Sequence, residues 1–329
     1  MKPFGYVNAA NEKEALAALD PRSGRFVPLA GGTDLLALMK DYIATPERLV
    51  NVKNLDGTVV RAADGGLKIG AAVRIDDLTN HPDVKRLYPA LAQAAEGVGT
   101  PQIRNTATVG GNLNQRPRCW YFRNEEFNCL KKGGSRCFAV DGENQFHAIF
   151  GGGPCHIVHP SSLAVPAIAL GAAFRVIGPA GEREVAAGDY FVMPDRDPRC
   201  ETVLQPNELM THMILPAPGA VRSATYEVRF KRSSDWPIAT ASVALDMSGT
   251  KIRAARVVMG AVAPVPWRVQ AAERVLIGRA ITEQAAMEAS DAAVQDAKPM
   301  TGNGYKVQVA RTAVKRAVIL AAGMKGDWA

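Results

Sequence analysis

The amino-acid sequence predicts an α+β protein of two or three domains, and three observations carry that prediction. Its 329 residues are 47% hydrophobic and 22% charged, which is enough apolar material for more than one buried core and unlike a disordered composition. Short β-branched runs alternate with segments of helical spacing along the N-terminal part of the chain. From about residue 221 a succession of strands gives way to a succession of helices, the pattern of a separate α+β unit.

Taken in order, residues 11–19 have the spacing of an amphipathic helix with Asn11 as its N-cap. Residues 25–30 read as a strand running into Gly31, Gly32 and Thr33, with a second helix starting near Asp34. Residues 49–52 and 67–73 are β-branched and read as strands, while 76–81 and 88–98 have helical spacing. Between residues 100 and 159 the periodicity fades, and four of the five cysteines and three of the five histidines fall there. Something other than apolar packing must order that stretch. Helical spacing returns at 161–173, followed by a strand at 174–177, a Gly-Pro turn and a polar, proline-rich run at 194–206. Strands are expected at 210–215, 225–229, 240–247 and 252–259, and helices at 269–277, 282–293 and 305–322. The last of these keeps Val307, Ala310, Ala313, Val314 and Val318 largely on one stripe.

Composition also excludes. The longest uncharged apolar run, residues 163–174, is twelve residues, well short of the roughly 20 that a membrane-crossing helix needs. The first twenty residues contain no continuous apolar segment and no twin arginine, so no export signal is visible. The expected location is cytoplasmic, or periplasmic if an exported partner carries the chain out. The net charge of +7 is diffuse; its densest part, Lys131, Lys132 and Arg136, lies in a cysteine-rich loop without interleaved aromatics, so nucleic-acid binding is not expected. No Ser/His/Asp constellation and no HExxH pattern appears, which leaves hydrolysis without apparatus.

Three motifs carry chemistry. Ala30-Gly31-Gly32-Thr33-Asp34 places two glycines between a strand and a helix, where backbone amides can turn toward an anion such as a pyrophosphate; a bare helix start is the plainer reading. Residues 102–115, QIRNTATVGGNLNQ, repeat the Gly-Gly pair after a threonine, with Arg104 as a donor fork and amide side chains able to fix hydroxyls or a ring edge. Two such turns flanking one predicted domain suggest a long diphosphate ligand more than either does singly. Neither has the spacing G-x-G-x-x-G of an ordinary dinucleotide-binding unit. The third motif is Cys119-x9-Cys129-x7-Cys137-x17-Cys155, with Cys200 left over. In a reducing compartment such thiols favour a metal over disulfides, and the spacing leaves open an iron–sulfur cluster, zinc, or unconnected buried cysteines. His147 and His156 are candidates to support the ligands or to bind zinc, His159 to cap the following helix, and His81 and His212 to be structural.

With AGGTDLL, QIRNTATVGGNLNQ, HPSSLA, GAVAPVPWR and GNGYKV all present, the chain resembles the FAD-binding medium subunit of the xanthine dehydrogenase and carbon monoxide dehydrogenase family of molybdenum hydroxylases. The cysteine insert looks like that of a subgroup found in three-subunit aldehyde oxidoreductases, with a relative in 4-hydroxybenzoyl-CoA reductase, whose flavin subunit also carries a [4Fe–4S] cluster. The resemblance implies a two-part FAD-binding domain of the vanillyl-alcohol-oxidase type, with subdomains at residues 1–58 and 59–220, the insert at about 116–158, and a smaller α+β domain at 221–329. It implies that Val27, Pro28, Leu29, Ala30, Gly31, Gly32, Thr33, Asp34 and Leu35 wrap the FAD pyrophosphate, while Thr108, Gly110, Gly111 and Asn112 cradle the other side, supported by Arg104 and Asn105. Cys119, Cys129, Cys137 and Cys155 would ligate the cluster, leaving Cys200 free. After His159-Pro160-Ser161 the family commonly has Asp where this chain has Ser162, and a hydroxyl is no charged acceptor. Lys231 is the candidate contact to the flavin edge. The implied role is electron exit: substrate oxidation on a large molybdenum-cofactor subunit, transfer through a small [2Fe–2S] subunit, and delivery by FAD to an external acceptor, with no catalytic acid or base in this chain. The rival expectation is a zinc-stapled, non-enzymatic assembly or adaptor subunit.

Overall fold

The computed structural model describes residues 1–231, 234–324 and 326, and the strands among them form three sheets. The first is parallel, with β3 (Arg48–Asn51) between β1 (Gly5–Asn8) and β2 (Phe26–Leu29). Parallel neighbours need a crossover, and the helices Glu12–Ala17 and Leu35–Lys40 supply the two. Glu12–Ala17 is closed reciprocally: Asn11 Oδ1 accepts from Glu14 N–H at 2.9 Å, and the Glu14 carboxylate accepts from Ala10 N–H at 2.9 Å. β3 is the buried centre, with Leu49 and Val50 out of solvent, and β2 is left as an edge.

The second sheet is antiparallel: β4 (Val59–Arg61), β5 (Leu67–Gly70), β6 (Ala173–Gly178), β7 (Gly181–Ala186) and β8 (Leu209–Leu215), in the order β4-β5-β8-β6-β7. Ile75–Asn80, Pro82–Leu87 and Pro89–Glu96 pack with it, the last two opening on a proline where the missing N–H costs nothing. The helix Ala164–Ala169 is buried on every side. β5 is shorter than the pattern predicts: beyond Gly70 the chain bonds to the second glycine turn instead, Val73 and Ala71 carbonyls accepting from Val109 and Gly110 N–H, each at 2.9 Å.

The third sheet is antiparallel too, in the order β12-β11-β10-β9, with β9 (Val221–Val228), β10 (Ala239–Ser248), β11 (Lys251–Gly260) and β12 (Trp267–Arg268). The helices Gln270–Leu276, Glu283–Ala293 and Tyr305–Ala321 share one core with Val243, Val257 and Met259, the stripe expected on the last helix facing inward. The second and third sheets meet through Pro89–Glu96 and β9, where Thr225 Oγ1–H donates to the Ala90 carbonyl at 2.8 Å and Thr225 N–H to Gln93 Oε1 at 2.7 Å. β1, β4 and β7 escape the sequence pattern because they are short and largely exposed, and so carry little hydrophobic alternation.

The cysteine-rich stretch adds short turns, Trp120–Arg123 and Leu130–Lys132, and no sheet. It is held by ion pairs and by the loop after β11: Val262 carbonyl accepts from Ile149 N–H at 2.8 Å, and Ala263 carbonyl from His159 N–H at 2.9 Å.

Candidate functional site

The two glycine turns, far apart in sequence, are in contact. A Cβ on Gly31 would lie 2.0 Å from the Thr106 carbonyl oxygen, so only glycine permits this approach, and Gly32 has a φ of +72°. The second turn starts at Thr108, whose hydroxyl accepts from Gly111 N–H at 3.1 Å and caps Val109–Leu113. Gly111 is exposed, and a Cβ there would look across to Ala30 Cβ at 4.0 Å. The turns thus face one another over a narrow gap that any side chain at position 111 would enter.

The neighbouring residues singled out in the sequence divide into wall and support. Val27, Pro28 and Leu29 lie along the edge strand β2, Thr33 is exposed beyond the turn, and Leu35 opens the next helix. Asp34 is fully engaged: Oδ1 accepts from the Arg118 and Arg123 guanidiniums at 2.5 and 2.6 Å, and Oδ2 from Arg116 N–H at 2.8 Å. It ties the first turn to the cysteine-rich insert. Asn112 is buried, its Oδ1 accepting from Ser161 Oγ–H at 2.7 Å and Leu163 N–H at 3.3 Å, so it fixes the His-Pro-Ser-Ser segment. Arg104 donates to the Glu96 and Val98 carbonyls at 3.1 and 3.3 Å, and Asn105 donates to the Pro101 carbonyl at 2.9 Å. Arg104 is thereby tied to the end of the helix Pro89–Glu96, with its Nε buried and without a hydrogen-bond partner, and Asn105 closes its own short helix Pro101–Arg104.

That segment leads into a cavity of about 260 Å³ whose walls come from three parts of the chain: His159, Ser161 and Ser162; Arg118, Cys119 and Trp120 of the insert; and Thr240, Gly260, Ala261 and Lys306 of the C-terminal part. Phe230 and Trp236 are exposed at its edge, and the Arg118 guanidinium stacks on Trp236 at 4.6 Å. Lys231, next to Phe230, is exposed and is not among the lining residues. The cavity is mostly apolar but holds buried polar atoms without partners: Arg118 Nε, Trp120 Nε1 and His159 Nε2. His159 Nδ1 accepts from Ser161 N–H at 3.3 Å, which leaves the ring proton on Nε2. Burial pushes this imidazole down to about 3, so it is a neutral donor. Unused buried donors are costly unless a ligand accepts from them.

Cys119, Cys129, Cys137 and Cys155 all line one small void beneath the cavity, with Lys131 and His147, and all five cysteines of the chain are free thiols. Among the described residues no group of three or more His, Cys, Asp or Glu closes around a single metal ion. Cys137 accepts from the Cys155 thiol, which pulls Cys137 down and pushes Cys155 up, whereas burial pushes Cys119 up to about 11. His147 Nε2 lies 3.3 Å from Cys119 Sγ. Cys200 is exposed and outside this group.

Family models match the chain in two blocks: the FAD binding domain in molybdopterin dehydrogenase over residues 2–218, and the CO dehydrogenase flavoprotein C-terminal domain over residues 224–321. The chain belongs to the FAD-binding family of the molybdopterin dehydrogenases. This flavoprotein is an oxidoreductase subunit. It is 35% identical to the aldehyde oxidoreductase FAD-binding subunit PaoB of Escherichia coli, over 94% of this chain and 96% of that one. It is 28% identical to the carbon monoxide dehydrogenase medium chain of Hydrogenophaga pseudoflava, over 96% of each. In structure it is similar to carbon monoxide dehydrogenase from Hydrogenophaga pseudoflava, with a TM-score of 0.75 and 29% identity over 98% of each chain.

One residue of the flavoprotein's cavity escaped sequence reasoning. Lys306 is buried, its ammonium donating to the Phe146, His147 and Ala261 carbonyls at 3.1, 3.0 and 2.6 Å. Burial pushes it down to about 7. The signal was available: Lys306 precedes Ala310 and Ala313 at helical spacing, a charge on the apolar stripe. Ala261, one of its acceptors, has a φ of +59°, and such a backbone costs a non-glycine residue roughly 1 kcal/mol or more.

Proposed function

We propose that this chain is the FAD-carrying electron-exit subunit of a molybdenum hydroxylase of the aldehyde oxidoreductase type, with the pyrophosphate between the two glycine turns and the ring in the adjoining cavity. The observation that carries this reading is the convergence of Gly31 and Gly111 beside a cavity walled by unpaired buried N–H groups. The fit is chemical as well as steric: an acidic ligand needs close backbone approach, and a flavin edge offers the acceptors that His159 and Trp120 lack. FAD, when bound, supplies one- and two-electron transfer. The chain's own residues bind, orient and shield. Thr108 keeps the second turn in shape, Asn112 sets the His-Pro-Ser-Ser wall, and Ser162 presents a hydroxyl where a carboxylate is common in the family. No side chain here is assigned proton transfer.

The same reading gives the chain a [4Fe–4S] cluster held by Cys119, Cys129, Cys137 and Cys155. Its support is that four thiols separated widely in sequence come together around one void, an all-cysteine set of the kind that ligates iron–sulfur clusters. Partners follow from the role: a large molybdenum-cofactor subunit that oxidises substrate, a small [2Fe–2S] subunit that relays electrons, and an external acceptor. The chain works in the compartment of that assembly, cytoplasm or periplasm; among the described residues no helix is long and apolar enough to cross a membrane. Family membership removes the ground for a non-enzymatic adaptor.

Anaerobically purified complex should show a flavin spectrum, release FAD on acid treatment, and contain about four irons and four sulfides for this chain beyond those of the [2Fe–2S] subunit. Zinc in place of that iron would refute the cluster, and absence of flavin would refute the whole.

A further inference from the structure

The cavity and the four-cysteine void are separated by a wall one side chain thick: Cys119, His147 and Ile157 line both. Of the three, His147 is the polar bridge, its Nε2 lying 3.3 Å from Cys119 Sγ. We propose that His147 is a positioning residue that donates a hydrogen bond to the Cys119 sulfur and so sets the reduction potential of the iron–sulfur centre next to the flavin cavity. This rests on the cluster assigned above. A sulfur bound to iron carries no proton, so in the loaded site the imidazole must be the donor. Hydrogen bonds to cluster sulfurs favour the more negatively charged, reduced state and raise the potential.

The placement of the ring is built into the fold. His147 N–H donates to the Asn144 carbonyl at 2.9 Å, and its own carbonyl accepts from Asn303 Nδ2 at 3.1 Å and from Lys306 Nζ at 3.0 Å. Trp120 meets the ring edge-on at 5.6 Å. These bonds hold the His147 backbone, and Trp120 packs against its ring, which together place the imidazole between the two sites with Nδ1 buried and without a partner.

The test uses the anaerobic holocomplex. EPR-monitored redox titration of His147→Phe should show the [4Fe–4S] midpoint displaced to more negative potential with iron and FAD contents unchanged, and His147→Gln, which restores an N–H donor, should return part of the displacement. Unchanged potential in a His147→Phe protein that retains its iron would overturn the proposal. A second readout does not depend on the variants' stability: wild-type protein labelled with 15N-histidine should give a nitrogen hyperfine coupling to the reduced centre, and its absence would also overturn it. Wild-type protein lacking iron altogether would instead remove the cluster reading itself, and the proposal with it.

Discussion

At the scale of single residues, the site is made by atoms that are missing as much as by those present. At the exposed Gly111 a Cβ would approach Thr108 Oγ1 closely, at 3.1 Å, and meet Ala30 Cβ at an ordinary 4.0 Å, so that a longer side chain would fill the gap toward Ala30. Gly111→Leu should therefore leave the melting temperature within a few degrees while FAD affinity drops at least about tenfold, equivalent to about 1.4 kcal/mol; equilibrium dialysis with FAD beside a thermal melt reads both. Cys129→Ser should do the opposite, losing iron while FAD stays bound, and Cys200→Ser should keep both cofactors because Cys200 lies outside the void. Iron and flavin analysis of the three variants checks this, and joint loss in both of the first two would mean that the sites are not separable. The glycine pairs stood out in sequence by their repetition and the four cysteines by their concentration in one stretch, although each pair alone also reads as a plain helix start and the cysteine spacing left the ligand open. The roles of Asp34 and Arg104 were not, because a charged side chain gives no sign in sequence of whether it faces a ligand or a neighbouring loop.

At the scale of elements, two joints position the cavity. Asn112 couples the short helix Val109–Leu113 to the start of Ala164–Ala169 through Ser161 and Leu163. Asn112→Ala leaves a buried hydroxyl and a buried N–H short of an acceptor, costing about 1–3 kcal/mol, and should speed FAD release as measured by fluorescence recovery on dilution. Lys306 couples the first turn of Tyr305–Ala321 to the insert and to the loop after β11. Lys306→Met takes the donor from the Phe146 and Ala261 carbonyls, while the His147 carbonyl keeps its bond from Asn303, and should lower stability by about 1–3 kcal/mol in chemical denaturation. Most strands and helices were readable from periodicity, including the final helix to within a residue at either end. The short turns of the insert were not, since ion pairs such as Lys131 with Glu201 at 2.7 Å hold them rather than an apolar face.

At the scale of the whole molecule, the loop that leads from the first sheet into the second is fastened to β8 through Asp56, whose Oδ2 accepts from His212 Nε2 at 2.9 Å. Burial pushes Asp56 up, but bonds from Thr58 and His212 outweigh it and hold the carboxyl at about 2, below its ordinary 3.8. A carboxyl depressed by folding adds stability above its unfolded value and forfeits it as pH falls through the folded one. The stability advantage of wild type over Asp56→Asn should therefore be full at pH 6 and shrink from about pH 4 downward, as followed by urea unfolding at stepped pH.

The sequence by itself determined the α+β class, the separate C-terminal strands and helices, the two glycine turns and the grouping of cysteines, because each is a local pattern of spacing, backbone freedom or side-chain chemistry. Only the tertiary structure decided that residues 30 and 111 face each other while Gly31 abuts Thr106, that Asp34 and Arg104 bond to neighbouring segments, and that Cys119, His147 and Ile157 separate the cavity from the thiols. Those are contacts between segments distant along the chain, set by how three sheets and their loops pack, and no local pattern encodes them.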